Sequence, residues 1–374
     1  MRKLRVVGLL LAAALLPAFT AQADAAKSQK STIVKTAAPV WTLAMDGSRV
    51  AYASGGKIHV WNTATGATSV VGGKYGSAQP GVDDVASQVA IAGKRVAWIK
   101  RKFEGNTEAG EKLYTASIAG RARLIDRTHR YNRDDPAAVK GGWIAGLVGT
   151  GKTLAVSTWK TNGTVVTDED LNRIVPSGLQ PIVSGSGAIV AESADAGRLG
   201  VLDSPTAWPP DDLRKAAGER PTVEIYSASG ATLGEVVLDP TDASYVGTEI
   251  ALTGNHLVVL TKELHEPSGP STVTLQVYDW TTGALLDTWP VAISQYTGAV
   301  SLAAFGNLAA VEGPYRLHLV NLATGKDVAI APSSRTDSPP ALGARGLVYT
   351  VNLHYKGPGK LVFVPTSRLL ALAG

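Results

Sequence analysis

One pattern recurs along this chain and limits what it can fold into: an apolar run, a short polar turn ending in glycine, and a second apolar run. The clearest copy is KIHVWNTATGATSVV, from Lys57 to Val71. It returns as YTASIAGRARLI around Gly120, LNRIVPSGLQPIV around Gly178 and VEIYSASGATLGEVV around Gly230. Two further copies are VYDWTTGALLDTW around Gly283 and LHLVNLATGKDVAI around Gly325. Glycine supplies the positive φ a tight turn needs, and the Ser, Thr, Asn or Asp before it bonds its own backbone, so the flanking runs pair antiparallel. A second, shorter glycine turn repeats ahead of each hairpin, at Gly47, Gly93, Gly151, Gly197, Gly254, Gly306 and Gly346. Gly187 competes with Gly197 for the fourth of these, but would leave the third unit no room for its last strand.

The shortest step between hairpin glycines, Gly283 to Gly325, is 42 residues, matching the roughly 40 to 45 residues of a four-stranded propeller blade. The spacing predicts an all-β, seven-bladed β-propeller of four-stranded antiparallel blades, one domain over residues 26–374. Hydrophobic residues make up 45% of the chain and aromatic ones only 6%, a balance suited to thin sheets packed face to face. Strands covered on both sides need not alternate, so runs such as Leu257 to Leu260 remain readable as strands. In the first blade, strands are expected at Val40 to Met45 and Arg49 to Ala53, followed by the hairpin. The last unit, from Pro340 onward, supplies three strands, the third at Leu361 to Pro365. Ser31 to Thr36 (STIVKT) reads as a strand with no neighbour, and is expected to complete that unit and close the ring, which removes exposed sheet edges.

KIHVWNTATGATSVV and LQVYDWTTGALLDTW resemble the third and fourth strands of WD40-type and quinoprotein-type propeller repeats. The WD40 Gly-His dipeptide is missing, Asn62 stands where the Asp would be, and Trp289 is a displaced candidate for the quinoprotein docking Trp. The resemblance implies a propeller. The vicinal cysteine pair of quinone dehydrogenases cannot exist in a chain with no Cys, which argues against a quinone cofactor, and no other cofactor is expected.

Arg2, Lys3 and Arg5, an apolar run from Val6 to Phe19 and Ala21-Gln22-Ala23 together read as a secretory signal peptide over residues 1–25. The run is shorter than the ~20 residues a bilayer needs. A secreted or periplasmic protein without a transmembrane segment is expected. Without cysteine, a lipoprotein anchor and a disulfide framework are both excluded. Arg2, Lys3 and Arg5 of the leader are among the positive charges behind the formal +5, which leaves little for the rest of the chain, so a nucleic-acid partner is not expected.

Chain direction alternates within a blade, so connections from the first to the second strand and from the third to the fourth share one rim. The remaining connections share the other. The short glycine turns are all expected on the first of these rims, and every long insertion on the second: Lys100 to Lys112, Asp126 to Gly142, Trp159 to Asp170, Asp203 to Pro221, Lys262 to Thr272 and Asn352 to Lys360. Such loops on a rigid scaffold are where binding sites are built. They carry Phe103, Tyr131, Trp159, Trp208 and Tyr355 beside Lys102, Arg130, Arg133, His265 and His354, a mixture suited to sugars or anionic polymers. Asp134 and Asp135, next to Arg130 and Arg133, complete the candidate binding set and read as internal ion pairs rather than acid and base. Asp168-Glu169-Asp170 lacks the ligand alternation of a calcium loop, and the histidines lack metal spacing, His59 and His318 reading as packed strand residues; no metal is expected. A Trp208-Pro209-Pro210 segment followed by DDLRKAAGE suggests one helical turn. The expectation is a monomeric, exported binding module that engages a protein or polysaccharide partner through its long-loop face. The alternative is a lyase or hydrolase acting on an anionic saccharide or lactone at the channel mouth.

Overall fold

The computed structural model describes residues 31–71, 85–104, 107–127, 144–150, 153–158, 163–167, 173–174, 188–195, 197–204, 222–227, 231–238, 245–263, 273–293, 301–313, 316–332, 338–352 and 357–374. Strand β1 (Thr32–Thr36) stands outside the blades. Blade 1 comprises β2 (Val40–Asp46), β3 (Arg49–Ser54), β4 (Lys57–Asn62) and β5 (Thr68–Val70). Blade 2 comprises β6 (Val85–Ala92), β7 (Arg95–Glu104), β8 (Thr107–Ser117) and β9 (Arg123–Arg127). Blade 3 comprises β10 (Ile144–Thr150), β11 (Thr153–Thr158), β12 (Gly163–Thr167) and β13 (Arg173–Ile174). Blade 4 comprises β14 (Ala188–Asp195), β15 (Arg198–Ser204), β16 (Thr222–Ser227) and β17 (Thr232–Val237). Blade 5 comprises β18 (Tyr245–Thr253), β19 (His256–Glu263), β20 (Val273–Asp279) and β21 (Ala284–Val291). Blade 6 comprises β22 (Ser301–Phe305), β23 (Leu308–Glu312), β24 (Arg316–Asn321) and β25 (Asp327–Pro332). Then come β26 (Ala341–Gly343), β27 (Gly346–Val351), β28 (Gly359–Pro365) and helix α1 (Thr366–Ala373).

Each blade is an antiparallel meander in chain order. The innermost strands neighbour one another in the sequence β2, β6, β10, β14, β18, β22, β26 and back to β2, the arrangement of a β-propeller. The blade count corrects the expectation of seven. Six blades are built from four consecutive strands, β2 to β25. The C-terminal strands do not make a seventh of that kind: their sheet runs β1-β28-β27-β26, a composite of both chain ends with an innermost strand of only three residues. The reason is local. After Pro365 the sequence TSRLLALA turns helical, and α1 lies where a fourth strand would start. Leu369 and Ala373 bury one face of this helix against blade 6 and the closing sheet, a feature the repeat pattern did not anticipate.

The core lies between blades. Ala51, Ile58 and Val60 of blade 1 pack on Val89, Ile91 and Trp98 of blade 2. Leu202 and Ile225 of blade 4 meet Ile250 and Leu252 of blade 5. In the run Leu257 to Leu260, Leu257 and Val259 face blade 4 while Val258 and Leu260 face blade 6. That explains why the run does not alternate: a strand buried on both faces needs apolar residues at every position.

The hairpin repeat has a definite turn chemistry. Asn62, Asp279 and Asn321 each accept, through the side-chain oxygen, the amide two residues on. Four residues on, the N–H groups of Gly66, Gly283 and Gly325 each donate to the carbonyl of that same residue at 2.8 Å. These three glycines have φ of 75°, 73° and 70°. Gly120 is not among the positive-φ glycines. Trp289 does dock: its indole N–H donates to the Leu322 carbonyl at 3.0 Å in blade 6, and its ring lies where a Cβ on Gly325 would be. The Asp327 carboxylate ties the same two blades, accepting from His318 at 2.9 Å and from the Ala292 amide at 3.0 Å. Burial alone would raise the pKa of Asp327, but the His318 and Ala292 hydrogen bonds outweigh it and hold it below the usual range.

At the seam, β1 pairs with β28 in the register Thr32↔Phe363 to Thr36↔Gly359. The Asn352 side chain then grips the backbone of Val40 at two points. Its Nδ2 donates to the Val40 carbonyl at 2.8 Å and its Oδ1 accepts the Val40 amide at 3.1 Å. Thr36 and Ser54 both donate to the Ala38 carbonyl, at 2.6 and 2.8 Å, which fixes the crossing from β1 to blade 1. Gly359 leaves room for this knot, since a Cβ there would strike Asn352 and Thr36.

Two outcomes are expected. A chain starting at Ala37 melts well below one starting at Ala26, because β28 loses its partner; equal melting temperatures would show that β1 is not needed for closure. Gly47→Ala, at φ 57° with open space around it, costs about 1 kcal/mol. Gly325→Ala, at φ 70° against the Trp289 ring, costs about 3 kcal/mol. Urea unfolding of the two variants compares them directly, and equal losses would count against the docking role of Trp289.

Candidate binding face

The two rims differ in how their polar groups are used. On the turn rim, the connection between the first two strands is two residues long in every blade, as at Gly47-Ser48, Gly254-Asn255 and Gly306-Asn307. These turns are braced from blade to blade. The Asp46 carboxylate accepts the Gly93 amide at 2.6 Å, Asp195 accepts that of Gly254 at 2.9 Å, and the Thr253 hydroxyl accepts that of Gly306 at 2.6 Å. Arg49 donates to the Gly93 carbonyl at 3.3 Å. Arg198 pairs with Asp195 at 3.1 Å and stands 5.3 Å from the Trp280 ring centroid. These five side chains serve the scaffold.

The loop rim is irregular. Its connections include 71–84, 128–143, 175–187, 205–221 and 264–272, against a two-residue turn at Gly55-Gly56 in blade 1. That turn, with φ of 58° and 73°, corrects the expectation that every short glycine turn falls on the opposite rim. Further corrections come from strands that run on where insertions were expected. Lys100 to Lys112 is the outer part of the β7–β8 hairpin, with Lys102 opposite Gly110 and Phe103 opposite Glu108. Within Trp159 to Asp170, the β-branched run GTVVT forms β12, so the third hairpin turns between Thr167 and Arg173, not around Gly178. Asp168-Glu169-Asp170 therefore belongs to a turn-rim connection. At the fourth short turn, Gly197 has φ 78° and occupies the β14–β15 connection, which decides against Gly187.

Topology assigns the candidate binding residues to loop-rim connections, but all of them lie outside the described residues. Arg130, Tyr131, Arg133, Asp134 and Asp135 belong to the β9–β10 connection and Trp159 to β11–β12. Trp208 belongs to β15–β16, with the expected helical turn after it, His265 to β19–β20, and His354 and Tyr355 to β27–β28. His59 is half-buried, stacked on Tyr52 with centroids 4.9 Å apart, its Nε2 3.3 Å from the Ser54 carbonyl oxygen. Burial lowers its pKa and pushes that of Tyr52 up to about 12. Among the described residues no group of three or more His, Asp and Glu could hold a metal ion.

Sequence reasoning missed a set of groups at the loop-rim ends of the innermost strands. In blades 1 to 5 each of these strands carries a bulge there, at Trp41, Ser87, Ala145, Val190 and Thr248. Bulges bend a strand and re-aim its side chains, and they gather at barrel rims and functional sites. The residue after the bulge is Thr42 in blade 1, Gln88 in blade 2 and Glu249 in blade 5. The buried Gln88 Oε1 has no hydrogen-bond partner among the described residues. Glu249 keeps some exposed surface, yet the protein around it is dense enough that burial pushes its carboxyl up to about 7. A polar residue directly ahead of an apolar run, as at Thr42 before Leu43–Met45, Gln88 before Val89–Ala92 and Glu249 before Ile250–Leu252, was the available signal.

The fold and these rims define a β-propeller with a braced turn rim and a variable loop rim. No protein-family model matches the chain, and no curated protein matches it in sequence. Solved structures share its fold. U3-55K aligns over 89% of this chain and 98% of its own length, with 13% identity and a TM-score of 0.52. The Kuenenia stuttgartiensis hydrazine synthase aligns over 84% and 93%, with 14% identity and a TM-score of 0.51. The β-propeller domain of the Trilobed protease from Pyrococcus furiosus aligns over 88% and 94%, at 11% identity and 0.47. Among the described residues no helix is long and apolar enough to cross a membrane.

Glu249 makes stability fall as pH rises. Its folded pKa of about 7 lies above the ordinary value of 4.5, so between those values the folded state holds a proton the unfolded state has lost. Stability from this group is complete below pH 4.5, declines towards the folded pKa, and is lost above it, by at most about 3 kcal/mol. Glu249→Gln should flatten the melting temperature across roughly pH 5 to 8. An unchanged pH profile in the variant would show that Glu249 is not held protonated.

Proposed function

We propose that this protein is an exported binding module that engages a cell-envelope or extracellular polymer, or a protein bound to one, through its loop rim. One observation carries the reading: the turn rim is short, regular and braced from blade to blade by Asp46, Arg49, Asp195 and Thr253, whereas the variable connections all leave from the opposite rim. A rigid ring with length variation confined to one rim suits recognition, because loops can change without disturbing the core. The leader-like residues 1–25 support export. Arg130 and Arg133 beside Tyr131 offer guanidinium groups and an aromatic ring to a carboxylated partner.

Arg130→Ala with Arg133→Ala should abolish binding to isolated cell-envelope polymer while shifting stability by no more than about 0.5 kcal/mol. Lys94 and Arg345, exposed on the turn rim, serve as the control pair; Arg49 is unsuitable because it bridges two blades. Binding lost in the control pair and retained in the loop pair, measured by co-sedimentation, would overturn the assignment of the face.

A further inference from the structure

The outer strands of the sheets are blunted, with one exception. β9, β17, β21 and β25 each carry a bulge, at Ile125, Leu233, Leu286 and Ile330. β21 and β25 also contain Pro290 and Pro332, and β5 and β13 are only three and two residues long. Bulges, prolines and shortness keep a sheet edge from pairing with a stray strand. β1, the outer strand of the closing sheet, has none of them. Its five residues pair with β28 in unbroken register, and its other edge has no neighbouring strand among the described residues. Thr32-Ile33-Val34 is a β-branched run suited to a pleated surface. Ile33 is 58% exposed, more than any other large apolar side chain among the described residues. The register fixes what this edge presents. Val34 lies opposite Leu361 and packs with it towards blade 1, so Ile33 and Lys35 share the other face, opposite Val362 and Lys360. Lys35 and Lys360 are both exposed, and neither has a hydrogen-bond or salt-bridge partner among the described residues.

We infer that the free edge of β1 is a docking site for an extended segment of a partner protein, which adds to the four-stranded closing sheet with an acidic residue beside Lys35 and an apolar one beside Ile33. This edge lies on the outer wall of the ring, so the site is separate from the loop rim. Main-chain hydrogen bonds supply the affinity of such strand addition, and alternate side chains supply its specificity. Charge complementarity selects the occupant. Like charges set directly opposite one another repel, and a carboxylate beside Lys35 relieves its repulsion from Lys360. An edge lysine turns strands away; this one turns away those that bring no acid. A second copy of β1 meets the edge less well. Antiparallel pairing about Val34 sets Ile33 against Lys35, which leaves the cations uncompensated.

The test uses the chain spanning residues 26–374 and three labelled heptapeptides. The first is Thr-Glu-Thr-Val-Thr-Glu-Thr, which reads alike in parallel and antiparallel pairing. The second has Lys in place of Glu, and the third is the Glu peptide N-methylated at every peptide bond, which keeps its charge but has no N–H to donate. By fluorescence polarisation the Glu peptide should bind about tenfold more tightly than either control, with an affinity that falls as salt rises. Lys35→Glu with Lys360→Glu should reverse the preference between the Glu and Lys peptides and leave the melting temperature unchanged, because the opposed pair is like-charged before and after. Equal binding of the Glu peptide and its methylated form to the unaltered chain would overturn strand addition. Glu-peptide binding lost in the Arg130→Ala, Arg133→Ala variant but unaffected by the lysine substitutions would overturn the β1 site, as would no binding at all. A dimer of the free chain that is lost in Ile33→Asp, measured by light scattering, would assign the edge to a second copy and overturn the partner assignment.

Discussion

No sheet in this protein can bury its own two faces, and the rest of the architecture depends on that. Each blade covers one face with the blade before it and the other with the blade after it, as the division of Leu257 to Leu260 between blades 4 and 6 shows. Apolar burial at about 25 cal/mol per Å² is therefore a property of pairs of blades, and the first and last elements would each expose a face if the circle stayed open. The composite sheet answers this requirement. It places Val348, Leu361 and Phe363 against Val40, Leu43 and Trp61 of blade 1, and it turns Leu347 and Val364 towards blade 6. Its two halves come from opposite ends of the chain, so the interface is held by β1–β28 pairing and by the Asn352–Val40 contact rather than by a continuous backbone.

Much of the scaffold was legible because its chemistry is local. An Asx residue with glycine four places later specifies the turn by itself, and Asn62, Asp279 and Asn321 form it in the same way. Strand pairing between residues 31–36 and the strand read at 361–365 was legible for a different reason, as an unpaired strand at one end and a missing one at the other; the strand itself begins at Gly359. The count of like blades was not, because repeat glycines mark turns and do not reveal that Thr366–Ala373 is helical. Insertions were misjudged where composition misleads. KRKFEGNTEAGEK reads as a polar loop, yet it extends β7 and β8, since cross-strand hydrogen bonds do not require apolar side chains. Glu249 and Asn352 escaped notice because each is a lone polar residue next to an apolar run, a signal that reading for apolar periodicity passes over.

The contrast between rims has a chemical side. On the turn rim, Asp46, Asp195 and Thr253 point their oxygen atoms at amides of the following blade, so substitution there would loosen an interface rather than alter recognition. The loop rim instead carries the bulged ends of the innermost strands, the elevated carboxyl of Glu249 and the connections that vary in length. Variable connections and structural bracing are thus separated by the thickness of the ring, which lets one change without the other.

The composite sheet also sets an order of events. β1 is among the earliest strands to be synthesised, yet its partner β28 lies more than 320 positions later, so this pairing has nearly the largest sequence separation the chain permits. Contacts of that kind form late and slowly. Until they form, β1 and the growing stack of blades each present an unpaired edge, the condition in which chains associate with one another. The exposed Lys35 within β1 and Lys360 within β28, partners in the final register, place like charges on those edges, and in the unclosed chain they act as gatekeepers against the wrong strand.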